Sequence, residues 1–326
     1  MKLLRSLVLA LATLIMAVIP GPAAWALDYP ARTIRLVVGF GPGTSPDIVA
    51  RLLGDRLFQA WGKPVVIENT VGAAGNLAGE RVARAEPDGH TLLLAANSGI
   101  AINPNLYEKM PFDPVRDLLP ISQVCAYANV LVVNNNVPAK NVQELVELAR
   151  AQPGALTYGS AGIGTTLHLA AELMKSMAKV DILHVPYRGA AFMQEVVAGR
   201  ISMGFGPPNS TLPLAREGKV RALAVTSLQR HAGIPDLPTM AESGLPGFDV
   251  TVWFGLMAPA RTPPAIVDKL HRETVKILAM PEIRQRFDDL GIEPIGNSPA
   301  EFAAAIDGEI PKWAKLVREA GMKLLD

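Results

Sequence analysis

The chain has a single cysteine, Cys125, so no disulfide can form within it and the fold must be held by its core. That cysteine lies in the mixed run from Ile121 to Ala126 and reads as a small buried side chain rather than a reactive thiol. Neither sign of charge is in excess: 31 Lys and Arg face 30 Asp and Glu, which leaves no electrostatic footprint for nucleic acid or an anionic membrane surface. The acidic residues are scattered. The five histidines (His90, His168, His184, His231 and His271) include no pair three or four apart that would set two metal ligands on one helical face. No metal site, no cofactor and no catalytic set of residues is expected. Beyond the first 26 residues there is no further long apolar run, heptad array or low-complexity tract.

What is present begins with Lys2 and Arg5 ahead of an apolar run from Leu7 to Ile19, followed by Pro20, Gly21, Ala24, Trp25 and Ala26. This is the pattern of a cleaved secretory signal over residues 1–26, and it predicts a periplasmic protein. The run is shorter than the roughly 20 residues a membrane-crossing helix needs. An uncleaved anchor is the alternative. Lipid attachment would require a cysteine just after the cleavage point, and Cys125 is far downstream. About 300 residues remain after cleavage, enough for two domains with substantial cores.

Short runs rich in β-branched residues alternate with segments of helical period, which predicts an α/β protein with mixed, largely parallel sheets. Thr33 to Val38 reads as a strand, Gly39 to Thr44 as a tight loop, and Pro46 to Ala60 as a helix with Ser45 as its N-cap. Val65 to Ile67, a loop over Gly72 to Asn76 and a helix from Leu77 to Ala85 repeat the theme. The strand Thr91 to Leu94 then runs into a small-residue loop, Ala95 to Gly99. A second series begins at Val130, with strands near Leu156, Ile182, Ser202 and Ala222 and helices over 142–150, 167–177 and 190–198. The last third offers helices over 264–278, 282–290 and 299–320 and few strand candidates.

Two loops rich in Gly, Ser and Thr, Gly39 to Ser45 and Gly159 to Thr166, each join a strand to a helix start. In open α/β sheets ligands bind beyond the carboxyl ends of strands, where helix N-termini offer unpaired N–H donors and a positive dipole end. Both loops therefore suit an anion, although glycines that merely permit tight turns explain either one alone equally well. Gly159 to Gly164 has the glycine spacing of a phosphate-binding loop, but Thr165 stands where its lysine should be. Nor does Ser160 sit in a nucleophile elbow, since Tyr158 precedes Gly159. His168 opens the helix after the second loop and suits either pocket contact or capping. His184, within a strand, reads as a core histidine. Arg188 could reach a carboxylate, although an exposed arginine is the commoner case. Phe40, Tyr187, Trp253 and Phe254 could line a cleft or pack in a core.

The chain resembles the periplasmic substrate-binding receptors of the tripartite tricarboxylate transporter family, the Bug proteins, over essentially all of its length after residue 26. The likeness rests on Tyr29 to Val38, Asp47 to Arg51, Val65 to Asn69 with Gly72 to Gly75, and Ala85 to Leu93. It continues through Tyr158 to Gly164 with His168, His184 to Gly189, Ala222 to Ser227, Pro238 to Gly244 and Trp253 to Pro259. The resemblance implies a two-lobed Venus-flytrap fold of type II, with lobe 1 formed by residues 27–128 and 246–326 and lobe 2 by 129–245. It implies a small organic carboxylate held between the lobes and delivered to membrane transporter subunits. A sensor role feeding a sensor kinase is the alternative, and a monomer is the default for such receptors. Carried onto this chain, the ligand-binding positions are Phe40, Gly43, Thr44 and Ser45 from one lobe, and Ser160, Gly164, Thr165, Thr166 and His168 from the other. Asn97 and Ser98 are secondary candidates. Gly206 stands where many relatives carry an aspartate that could pair with a ligand amine, so amino acids are expected to be poor ligands.

Overall fold

The computed structural model describes residues 29–326 apart from 188, 190, 231–233, 320, 323 and 326. The expected leader 1–26, Arg188 and His231 lie outside the described residues. The described chain forms two sheets. The first takes β1 (Ile34–Val38), β2 (Val65–Asn69), β3 (Thr91–Ala96), β4 (Leu118–Ala128), β10 (Thr251–Pro259) and β11 (Glu293–Pro294), in the order β11-β4-β10-β3-β1-β2. The second takes β5 (Val130–Asn134), β6 (Thr157–Ser160), β7 (Leu183–Pro186), β8 (Met203–Gly206) and β9 (Val220–Val225), in the order β7-β6-β8-β5-β9.

Parallel pairs join β1 to β2 and β3, and β6 to β7 and β8. The pairs made by β4, β5 and β10 are antiparallel, so among the described residues the sheets are mixed, with parallel pairing confined to the strand–helix units. In those units a crossover helix must return the chain to the same end of the sheet, which is why α1 (Ser45–Trp61), α2 (Asn76–Ala83), α4 (Thr166–Ala178) and α5 (Ala191–Val197) each link one parallel strand to the next, while α3 (Val142–Ala151) joins the oppositely directed β5 and β6. Four further helices follow β8 and β10: α6 (Pro208–Arg216), α7 (Pro264–Leu278), α8 (Pro281–Leu290) and α9 (Pro299–Glu319).

The expectation of few strands in the last third is corrected by β10, whose apolar run is buried at every residue but the first. A strand covered on both faces shows no alternation and reads like any buried apolar run. Gly255 at its middle leaves room for the Phe302 ring of α9, which a Cβ there would meet at 2.1 Å. Ala95 and Ala96 belong to β3 rather than to a loop, and a π-helical turn, Ser98–Ile102, follows them wholly buried. Cys125 is buried within β4, where burial pushes its thiol well above the usual range.

The chain passes between sheets with almost no slack. A single residue, Asn129, separates β4 in the first sheet from β5 in the second. Thr226, just after β9, clasps both crossings: its N–H donates to Asn129 O at 2.9 Å and its hydroxyl to Val250 O at 2.8 Å, while it accepts from Asn129 N at 2.8 Å and Val250 N at 2.8 Å. Asn129 and Thr226 are fully buried.

Candidate functional site

The ends of β1, β2 and β3 meet backbone to backbone. A Cβ on Gly39 would lie 2.6 Å from Gly75 Cα, so glycine is required there, and Gly99 stands beside the same backbone, a Cβ on it meeting the Gly75 carbonyl carbon at an ordinary contact of 3.5 Å. Between them lies a void of about 10 Å³ lined by Gly39, Phe40, Gly79 and Phe112, room for about one water. The turn that carries Gly75 is strained: Ala73 and Ala74 hold φ of 46° and 51°. Two buried side chains brace it, Asn103 donating to Ala73 O at 3.0 Å and Ser98 to Ala74 O at 2.9 Å.

The two predicted loops prove to be the same turn written twice. Gly41-Pro42-Gly43-Thr44 leads into α1 and Gly162-Ile163-Gly164-Thr165 into α4. Gly43 and Gly164 have φ of 78° and 80°. Thr44 and Thr165 are the N-caps, at φ −76°, ψ 161° and φ −74°, ψ 154°. Each threonine hydroxyl donates to the carbonyl of its turn's first glycine at 2.7 Å. Ser45 is thus the first helical residue and not the cap, a shift of one position, because Pro46 is accommodated equally well in the second helical place.

The second turn borders the Ala73–Gly75 turn, and the first loop reaches it through Gly39 and Phe40. Gly39, which opens the first loop, packs on Gly75, while a Cβ on Gly164 would stand 3.3 Å from Asn103 Oδ1 and 4.0 Å from Ala74 Cβ. Strand ends of one sheet and a helix start of the other therefore converge, and neither glycine loop carries a charged residue. Asp47 in the first turn of α1 is 2% exposed and fully engaged: it accepts from Gly43 N, from the Arg51 guanidinium and from Asn69 Nδ2, each at 2.9 Å. Burial acts to raise its pKa, but the hydrogen bonds from Arg51, Gly43 and Asn69 and the Arg51 charge outweigh it and hold the carboxyl below its ordinary value.

Beneath the second loop lies a polar cluster. Ser160 Oγ is 2.7 Å from His184 Nε2 and accepts from Gly162 N at 3.2 Å. Gly164 N donates weakly to His168 Nδ1 at 3.5 Å, and the Thr165 hydroxyl caps α4 by accepting from His168 N at 3.4 Å. The His168 and His184 rings are 4.5 Å apart, with Tyr158 stacked 4.6 Å from His184. Burial first, then the neighbouring His184, lowers His168 from its ordinary 6.5 to about 4.

Phe40 is half-buried with its carbonyl accepting from Asn69 Nδ2 at 2.8 Å, while Ser45 and Thr166 are buried in the first turns of α1 and α4. Asn97 does not lie in a loop: it is fully buried, its amide donating to Thr251 O at 3.0 Å and to Glu309 at 3.2 Å. Glu309 also receives the indole N–H groups of Trp253 and Trp313, so Trp253 is a buttress for α9. Gly206 is buried at the end of β8, where a Cβ would meet Thr211 at 2.5 Å and Met193 at 2.9 Å. There is no space at that position for a carboxylate side chain. His184 and Asn69 were not among the predicted site residues. The pairing of Val38 with Asn69 is what carries Asn69 to the first loop.

A family model described as "Tripartite tricarboxylate transporter family receptor" matches residues 49–322. The chain belongs to the tripartite tricarboxylate transporter receptor family. Among solved structures this receptor is similar to "R. palustris Rpa4515 with adipate", at 35% identity and a TM-score of 0.85, covering 91% of this chain and 100% of the other. It is similar to periplasmic binding protein BugD at 35% identity and a TM-score of 0.83, over 91% and 100%. It is similar to MatC (Rpa3494) from Rhodopseudomonas palustris with bound malate at 33% identity and a TM-score of 0.81, over 89% and 100%. The family is one of periplasmic solute-binding receptors with a two-sheet α/β architecture. No helix among the described residues is long and apolar enough to cross a membrane.

Proposed function

We propose that this receptor captures a small organic dicarboxylate in the periplasm, between the Gly41–Thr44 and Gly162–Thr165 turns, and hands it unaltered to membrane transporter subunits. The repeated Gly-x-Gly-Thr cap, one copy following a strand of each sheet, together with the approach of Gly39 to Gly75 and of Gly164 to Ala74, is the observation that carries the reading. Such caps present N–H groups and the positive end of a helix dipole to a carboxylate at each end of the ligand, without a dedicated arginine. That two solved relatives hold adipate and malate supports a dicarboxylate. In this reading the lobes are residues 27–128 with 246–326 and residues 129–245, hinged where Thr226 clasps Asn129 and Val250. Residues 1–26 act as the export signal. No chemistry is assigned to the site: Ser160 is fully buried and its hydroxyl is engaged by His184 and the Gly162 backbone.

Thermal unfolding with adipate, malate, citrate, glutamate and aspartate tests this. A ligand at a hundred times its Kd adds about 2.7 kcal/mol, which raises the midpoint by several degrees in a protein of this size. The expected result is a rise with adipate or malate and little with the amino acids, and a loss of that rise in Thr44→Ala and in Thr165→Ala. No rise with any carboxylate, or a rise indifferent to both threonines, sinks the two-turn site.

A further inference from the structure

The second turn is built on two histidines to which ligand capture itself gives no role. His184, on β7, meets the Ser160 hydroxyl at 2.7 Å; Ser160 in turn accepts from Gly162 N, and the Gly162 carbonyl accepts from the Thr165 hydroxyl. His168, on α4, meets the same turn from its other end through the Gly164 N–H. The two rings thus support the first and third residues of the Gly-x-Gly-Thr turn from below. We infer that His168 and His184 are positioning residues which hold the second turn in its binding shape, and that His168 does so only as a neutral ring.

The charge condition follows from the contacts. Nδ1 of His168 can accept from Gly164 N only while it carries no proton; once protonated it becomes a second donor facing the first. The rings are 4.5 Å apart, so two imidazolium cations would repel each other in a buried setting. Among the described residues, the charged and titratable neighbours are Tyr158 from β6 and Glu172 and Lys175 from α4. The Glu172 charge acts in favour of an imidazolium, but burial and the Lys175 charge, which Glu172 Oε1 pairs at 2.7 Å, act against it. Burial favours the neutral form of both rings. The consequence for ligand capture rests on the receptor reading above; the hold on the turn does not.

Hydrogen exchange read by mass spectrometry separates the two. At pH 7 without ligand, His184→Ala and His168→Ala are expected to exchange about tenfold faster across residues 161–166, roughly the loss of one hydrogen bond, with residues 39–47 unchanged. His184→Gln and His168→Asn place an acceptor near the lost ring nitrogen and should restore most of the protection. After correction for intrinsic rates, wild-type exchange over 161–166 should rise between pH 6 and pH 4, while the His184→Gln/His168→Asn double variant stays flat. Loosening of both turns together, or a double variant as pH-sensitive as wild type, overturns the inference. With adipate as the probe at pH 7, affinity should fall in the alanine variants in step with the opening of the turn. Unchanged adipate affinity in an opened turn overturns the positioning role. Absence of adipate binding to the unaltered protein counts against the carboxylate reading instead, and exchange still decides whether the histidines hold the turn.

Discussion

The Gly41–Thr44 and Gly162–Thr165 turns share the backbone angles of their second glycine and cap threonine and the same hydroxyl contact, yet they are anchored by opposite chemistry. The first is tied by an ionised carboxylate, Asp47, that accepts from its own turn and from Asn69 on the neighbouring strand. The second is tied by uncharged rings packed against each other and against Tyr158. One backbone solution to presenting helix N–H groups therefore tolerates different foundations, and the foundations should fail under different conditions. Removing the anchor of one turn should leave the other undisturbed.

The largest effect is expected from Asp47→Ala. Charged hydrogen bonds are worth about 1.5–3 kcal/mol each, but Arg51 is half exposed and its ion pair contributes little, so the loss comes mainly from the Gly43 and Asn69 contacts. A fall of about 3 kcal/mol in denaturant unfolding is expected, with the second turn's hydrogen exchange unaltered. A loss under about 1 kcal/mol would show that the carboxylate is not the anchor.

The acid response comes next and distinguishes the turns by pH. His168 has its folded pKa depressed, so the unfolded chain binds the extra proton and stability falls as pH drops from about 6.5 through about 4. Complete titration across that window amounts to about 3 kcal/mol at most. Asp47 is also depressed, but from 3.8, so the stability it confers is present above that value and is lost only below it. Stability measured from about pH 7 to about pH 4.5 should therefore decline in wild type and decline less in His168→Asn, whereas Asp47→Asn should leave the slope in that window unchanged. An equal slope in wild type and His168→Asn breaks the assignment.

The contrast between the turns was only partly legible in the sequence. The strand–loop–helix units were, because β1 and β3 are short apolar runs that end in glycine or small residues before a 3.6-residue period begins. The long central strands were not. β4 mixes Pro120, Ser122 and Gln123 with apolar residues, and β10 is buried on both faces, so neither alternates. Helix α6 was hidden by Pro213 within it. The two glycine loops announced themselves by composition, but their anchors did not: Asn69 reaches the first loop through strand register, 22 residues beyond Asp47, and His184 reaches Ser160 across a β6–β7 pair. Asn97 misled because a small-residue stretch after a strand looks the same whether it turns toward a ligand or, as here, continues the strand into a buried π-helical turn.

The glycines of the two turns give a smaller, sharper comparison. Both sit near φ 80°, so alanine at either costs about 1–2 kcal/mol in backbone strain. A methyl group added at Gly43 would meet nothing within 4 Å, whereas one at Gly164 would press on Asn103 Oδ1 at 3.3 Å and touch Leu106 at 3.5 Å. Gly43→Ala should therefore show the strain alone, and Gly164→Ala should lose about 1 kcal/mol more together with a weakened response to ligand. Equal losses with equal ligand responses would mean that the second turn can withdraw from Asn103 at no cost.

The cap threonines should differ least. The Thr165 hydroxyl both donates to Gly162 O and accepts from His168 N, so it performs true side-chain capping, while the Thr44 hydroxyl makes the carbonyl contact with no side-chain cap bond. In α1 the capping work falls to Asp47, which reaches back to Gly43 N from the third helical position. Removal of a working N-cap side chain costs about 1 kcal/mol, so Thr165→Ala should lose about that much and Thr44→Ala about half or less. In the background of Asp47→Ala the order should reverse in significance, because the Thr44 hydroxyl then becomes the remaining side-chain tie within the first turn. A double-mutant cycle between Thr44 and Asp47 with a coupling near zero would show that the turn's shape is set by Gly43 and Pro46 alone, and that the carboxylate serves only to bind Arg51 and Asn69.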